Sequence, residues 1–192
     1  INQYGGLFTL GANTSFEGNS AGISGGAIYA NTSLTIGNNA TFTNNSSVVY
    51  GGAIHNSSSL SIGTNSTFTG NSAGSDGGAI FNEGTLTLGS TSSFSNNSAF
   101  YAGGAIYNNA GTLTINSGAT FTSNSAETHG GAIYNKTTPL QISGSNIVFS
   151  NNSVTGTSAR GGAIYSTSSV SLGGTTFSNN TATQYGGAIY AT

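Results

Sequence analysis

The stretch LSIGTNSTFTGNSAGSDGGAIF, residues 60–81, decides the fold. It opens with an apolar-polar-apolar run, Leu60-Ser61-Ile62. A turn rich in Gly, Asn and Ser leads to Thr67-Phe68-Thr69 and then to Asn71. A second polar turn precedes Gly77-Gly78-Ala79-Ile80-Phe81. Side chains that alternate with period 2 belong to strands, and none of these runs is long enough to be stable alone. No helical 3.6 periodicity competes, and the frequent glycines oppose helix.

The same block recurs along all 192 residues. Gly-Gly-Ala-Ile starts at Gly25, Gly51, Gly77, Gly103, Gly130, Gly161 and Gly186. Phe-x-x-Asn starts at Phe16, Phe42, Phe68, Phe94, Phe121, Phe149 and Phe177. The apolar-polar-apolar run recurs as Phe8-Thr-Leu10, Leu34-Thr-Ile36, Leu86-Thr-Leu88, Leu113-Thr-Ile115, Leu140-Gln-Ile142 and Val170-Ser-Leu172. A unit of about 26 residues with three short strands predicts an all-β fold, a right-handed parallel β-helix of seven coils. The prediction is one solenoid domain over residues 1–192, a rod on the order of 34 Å long from a strand spacing of about 4.8 Å.

Alternation assigns the faces. Leu34, Ile36, Ala40 and Phe42 should point inward, and Thr35, Thr41 and Thr43 outward. Coil stacking then makes ladders. The Phe residues above form one, and Ile28, Ile54, Ile80, Ile106, Ile133, Ile164 and Ile189 a second. Burying each such side chain is worth roughly 1.5–3 kcal/mol. Asn19, Asn45, Asn71, Asn97, Asn124, Asn152 and Asn180 should form an amide ladder at a corner. The Gly pair should make a corner that needs positive φ or close backbone approach. The residue after the Ile gives an aromatic column, Tyr29, His55, Phe81, Tyr107, Tyr134, Tyr165 and Tyr190, placed outside.

Composition narrows the function. The chain has two Lys/Arg and four Asp/Glu, a net charge of -2, 31 Gly and no Cys. So weak a positive charge excludes a phosphate-binding footprint, hence nucleic acid. Without Cys there is no disulfide framework or thiolate metal site. Nothing in the sequence calls for a cofactor, and no apolar run is long enough to cross a membrane as a helix. Catalysis would need a base, an orienting group and a nucleophile in one cleft. Asp76, His129 and Arg160 all precede a Gly pair and share one edge, with His129 and Arg160 within about 5 Å from strand spacing. Ser24, Tyr50, Ala102 and Tyr185 hold that position elsewhere, so the edge reads as a variable turn. Glu17, Asp76, Glu83 and Glu127 fall in different coils and at mostly different repeat positions, and His55 reads as a ladder substitution. No enzyme is expected.

Gly-Gly-Ala-Ile paired with Phe-x-x-Asn resembles the motif pair of the chlamydial polymorphic membrane proteins and related autotransporter passengers. The resemblance covers nearly the whole chain. It implies a bacterial surface-exposed, extracellular β-helix, adhesive in many members and followed by an outer-membrane barrel, of which this sequence holds no strand. The expected role is structural or adhesive, with the variable segment before each Gly pair as the recognition edge. The partner would be a host-cell or glycan ligand, or copies of the chain. The first strand and the last belong to the same corner of the coil and neither end carries a polar cap, so stacking into a filament is an expectation. Its contact residues would be Phe8, Leu10, Phe16, Phe177, Ile189 and Tyr190. A third alternative is ice binding through the outward column Thr41/Thr43, Thr67/Thr69, Thr120/Thr122, which Val148 and Ser150 interrupt.

Overall fold

A computed structural model describes all 192 residues and contains only strands, turns and bends. Every strand pairs parallel with its counterpart one coil away, so the chain is a parallel β-solenoid of about seven turns. The third coil shows the unit: Leu60 and Ile62 lie in Ser59–Ile62, Phe68 in Thr67–Thr69, and Ile80 in Ile80–Asn82. A fourth, two-residue strand, Ser72–Ala73, lies just after the Phe-x-x-Asn motif. It adds to the three strands expected from the sequence. Two residues are too few for alternation to show.

Register is set by identity. Phe68 pairs with Phe42 and Phe94, Leu60 with Leu34 and Leu86, and Ile80 with Ile54 and Ile106. The Ile sheet runs through eight strands, the Phe sheet and the Ser-Ala sheet through seven each. The Leu sheet is broken between Leu113–Ile115 and Leu140–Ile142. Pro139, which has no N–H to donate, immediately precedes the strand beyond the break.

The core fills the bore of the solenoid. Phe42, Phe68, Phe94, Phe121 and Phe149 are wholly buried, and their rings stack nearly parallel with centroids 4.6–5.0 Å apart. That spacing follows the distance between coils and is within the favourable range for offset aromatic pairs. Ile28 through Ile164 and Leu34 through Leu140 complete the same apolar cluster. The turns rely on Asn. Asn39, Asn65 and Asn146 close one corner and Asn44, Asn96 and Asn151 another, all with φ between 53° and 59°. Asn tolerates this left-handed region better than other side-chain-bearing residues.

Two amide ladders line the coil. In the first, Asn45 Nδ2 donates to Asn71 Oδ1 at 3.0 Å, Asn71 to Asn97 at 2.9 Å, and Asn97 to Asn124 at 2.9 Å. The second, Asn56, Asn82, Asn108 and Asn135, sits two residues after the Ile column with Nδ2–Oδ1 distances of 2.7–2.8 Å. Asn45, Asn71, Asn97, Asn124 and Asn152 of the first column and all four of the second are fully buried. A buried amide is tolerable only when its donors and acceptor are used, and a ladder uses them.

Candidate functional site

Buried ladders hold the rod together and cannot meet a partner. The surface that can vary is the segment between the ladder Asn and the Gly pair. It reads Ser-Ala-Gly-Ile-Ser at 20–24, Ser-Ser-Val-Val-Tyr at 46–50 and Ser-Ala-Phe-Tyr-Ala at 98–102. Its first two residues form the fourth strand, and its remaining residues turn outward. Five of the nine large apolar side chains on the surface lie here: Ile23, Val48, Phe100, Tyr101 and Tyr185. Each is at least half exposed. Solvated apolar groups gathered along one edge, rather than scattered singly, mark an interaction surface.

The residue before each Gly pair forms a column of its own. Ser24 bridges to Tyr50, Tyr50 to Asp76, Ala102 to His129, His129 to Arg160, and Arg160 to Tyr185, all parallel. Side chains from this column fold back over the aromatic column. Tyr50 lies on Phe81 with centroids 4.4 Å apart, and His129 on Tyr165 at 4.4 Å. The aromatic column itself is continuous from Tyr29 to Tyr190, with neighbouring centroids 4.6–5.4 Å apart. It is on the outer face, but the covering residues and the close stack leave it only partly solvated; His55, Phe81 and Tyr165 are buried.

Three acids and both histidines have assigned environments. Asp76 accepts the Ala102 N–H at 3.1 Å and the Ser75 hydroxyl at 2.7 Å, and burial raises its pKa. Glu127 makes no such contact through its carboxylate; its backbone carbonyl accepts the Gly156 N–H. His55, Ser57 and Glu83 form a triangle that sequence spacing did not reveal, since His55 and Glu83 are 28 residues apart. Ser57 Oγ and Glu83 Oε2 stand 3.1 and 3.2 Å from His55 Nε2. The three residue types match a hydrolytic triad, but the geometry does not. A triad histidine uses one ring nitrogen for the nucleophile and the other for the carboxylate. Here both partners compete for Nε2, and Nδ1 is buried without a partner. No group of three or more His, Cys, Asp or Glu side chains is placed to hold a metal ion.

Burial, the largest cause in each case, lowers the pKa of His55 and of His129. Glu83 partly offsets it at His55, and the Arg160 charge reinforces it at His129. A histidine with a folded pKa below its unfolded value near 6.5 binds fewer protons folded than unfolded, so stability falls as pH drops below about 6.5. Asp76 acts in the opposite sense, because protonation in the acid range relieves its burial. We expect the thermal midpoint to fall from pH 7 to pH 5, and the fall to vanish in H55Y/H129Y. Tyrosine already occupies both register positions, at Tyr29 and Tyr50. An undiminished fall in the double variant would place the titration elsewhere.

The proposed stacking residues occupy the first and last coils. Phe16 stacks on Phe42 at 4.9 Å and Phe177 on Phe149 at 5.1 Å, and Phe8, Leu10 and Ile189 are half-buried against the core. Four of the six hydroxyls of the Thr column are paired with a neighbouring coil, and Thr43 and Thr67 are not. Thr41 donates to Ser15 at 2.9 Å and Thr120 to Ser93 at 3.1 Å, while Thr69–Ser95 and Thr122–Ser150 are paired at 3.1 Å.

The repeat is known elsewhere. The Chlamydia polymorphic membrane protein (Chlamydia_PMP) repeat matches seven times, at residues 13–31, 39–57, 65–83, 91–109, 118–136, 146–167 and 174–192. The chain belongs to this family. Each match begins in the turn before the Phe strand and ends in or just beyond the Ile strand, so it takes in both motifs and the variable edge between them. The chlamydial polymorphic membrane protein repeats thus account for the corner, the Phe column and the first amide ladder, while the Leu strand falls mostly between matches. The family is a cell-surface one. Neither curated proteins nor solved structures gave a match.

Proposed function

We propose that this solenoid is a non-catalytic, extracellular adhesive rod that binds host-cell or glycan ligands through its variable edge. The observation that carries this reading is the concentration of solvated apolar and aromatic side chains, Ile23, Val48, Phe100, Tyr101 and Tyr185, on the one edge the repeat leaves free to vary. A rigid stack of coils holds them along one edge, in the first, second, fourth and seventh coils, so little ordering entropy opposes binding. The His55–Ser57–Glu83 triangle, with both partners on one nitrogen, speaks against hydrolysis. The Thr column, interrupted at Val148 and Ser150 and with four of its six hydroxyls already paired, speaks against ice binding.

The test is binding of the purified rod to host cells and to a glycan array. Exposed side chains contribute little to stability, about 0.5 kcal/mol or less each. V48S/F100S/Y185S is therefore expected to keep its unfolding midpoint and to lose at least about tenfold in apparent affinity, the scale of an interface hot spot. A rod that binds neither cells nor glycans, or a triple variant that binds as well as the parent, would remove this reading. Electron microscopy of the same sample shows whether copies stack head to tail instead.

A further inference from the structure

Arg160 is the chain's single arginine. It closes the longest variable segment, Ser153 to Arg160, where three residues more than in the other coils separate the Phe from the Gly pair. That segment is not slack. Ala159 is buried with Ala126 and Val154 in a small apolar cluster of its own, and Ala182 packs against it. Two backbone hydrogen bonds tie Arg160 to the preceding coil: its N–H donates to Thr128 at 3.0 Å, and its carbonyl accepts from Gly130 at 3.1 Å.

The guanidinium carbon lies 5.5 Å from the ring centre of Tyr185 and 5.2 Å from that of Tyr190. Arginine over an aromatic face within about 6 Å is attracted by the ring quadrupole. The rings position the group without occupying any N–H. Arg160 makes no ion pair and no side-chain hydrogen bond; Nε is buried and unpartnered. No carboxylate lies within ion-pair distance of it: Asp76 is bound to Ser75 and Ala102, Glu83 to His55 and Ser57, and Glu127, in the adjoining coil, makes no ion pair. A guanidinium with its donors unspent, fixed in place and flanked by a more than half-exposed tyrosine, is a receptor for a planar anion beside an apolar face.

We infer that Arg160, with Tyr185 beside it, forms a subsite for a carboxylate-bearing sugar, the carboxylate paired end-on with the two Nη groups and the sugar ring laid against Tyr185. The assignment rests on the adhesive reading above and names a ligand class for one place on that edge. A neutral saccharide would leave the guanidinium unpaired, and a bare anion would leave Tyr185 unused. Both chemistries together select an acidic sugar. The neighbouring bridge partner His129 is neutral at pH 7, with its pKa lowered, so Arg160 supplies the charge.

The single arginine makes the test direct, because its Nε–H gives one resonance. The purified 192-residue chain is titrated with 3′-sialyllactose, with a glucuronic-acid disaccharide, and with lactose as the neutral control. We expect the Arg160 resonance to shift with one or both acidic sugars and not with lactose. R160Q and Y185A should each weaken that binding at least tenfold at an unchanged unfolding midpoint. R160K should restore only part, since a lysine cannot pair with two oxygens at once. No shift with either acidic sugar, equal shifts with lactose, or binding that survives R160Q would overturn the inference. Cell binding by the rod without any acidic-sugar binding would sink this subsite and leave the adhesive reading intact. Acidic-sugar binding without cell attachment would keep the subsite and narrow the adhesive reading to its glycan half.

Discussion

N97A is expected to lower the thermal midpoint by about 10–20 °C, corresponding to about 4–6 kcal/mol at 2–4 °C per kcal/mol for a chain of this size. The Asn97 carboxamide is wholly buried and takes part in four hydrogen bonds. It donates to the Phe68 carbonyl at 3.0 Å and to Asn124 Oδ1 at 2.9 Å. It accepts the Asn71 N–H at 3.0 Å and Asn71 Nδ2 at 2.9 Å. Alanine removes all four at once and leaves partners in two adjoining coils without water to replace them. A buried group stripped of its partner costs about 1–3 kcal/mol. Total stabilities of 5–15 kcal/mol make that a large fraction. N19A provides the internal comparison. Asn19 is exposed, its amide donates only to Glu17 and Asn45, and no neighbour donates to its oxygen. Its loss should cost about 1 kcal/mol or less. Equal midpoints for N19A and N97A would show that the ladder adds nothing beyond filling space.

The contrast between those two asparagines also shows what sequence alone discloses. Phe-x-x-Asn and Gly-Gly-Ala-Ile repeat with near-constant spacing, and a strict period fixes which residue stacks on which. Period 2 in Leu60-Ser61-Ile62 then gives the inward face, and the solenoid follows without any long-range guess. The second amide column was hidden because Ala30, Ser166 and Ala191 hold its register in three coils, which breaks the pattern that Asn56, Asn82, Asn108 and Asn135 make. Ser72–Ala73 was hidden because two residues carry no period. The His55–Glu83 contact needs a diagonal offset of two residues beyond one coil, which no repeat alignment suggests. At the edge, sequence placed His129 and Arg160 side by side but could not show that Tyr50 and His129 cover the aromatic column. That covering depends on side chains leaning back from the corner, a direction invisible in a string of residues. The break in the Leu sheet had one visible sign, the chain's only proline, Pro139.

The largest effect of any single change is expected at the second glycine of the pair. A methyl group on Gly104 would overlap the Gly131 carbonyl oxygen of the next coil and the Ser125 carbonyl oxygen, with the Ser125 carbonyl carbon 2.7 Å away. All are backbone atoms, so no rotamer change relieves the overlap. Coils must separate, which breaks the bonds from Gly104 N–H to the Gly130 carbonyl at 3.1 Å and from Gly103 N–H to the His129 carbonyl at 3.0 Å. The first glycine answers a different need: Gly103 has φ of 65°, a region that costs any β-carbon. G104A should therefore exceed the 4–5 kcal/mol that marks exceptional single substitutions, and yield little folded protein at 37 °C. G187A makes the control, because a methyl there meets only the Asn180 carbonyl oxygen at 3.2 Å. It should fold with a midpoint within a few degrees of the parent. Circular dichroism and soluble yield of the two variants decide the matter, and a well-folded G104A would mean that the coils tolerate a wider corner than the stack allows. The same corner explains why recognition sits where it does. Two invariant glycines bring the coils into contact at the backbone, and the residue just before them is the first whose side chain is free to differ from coil to coil. Ser24, Tyr50, Asp76, Ala102, His129, Arg160 and Tyr185 are the result, six residue types over seven coils carried on one unchanging turn.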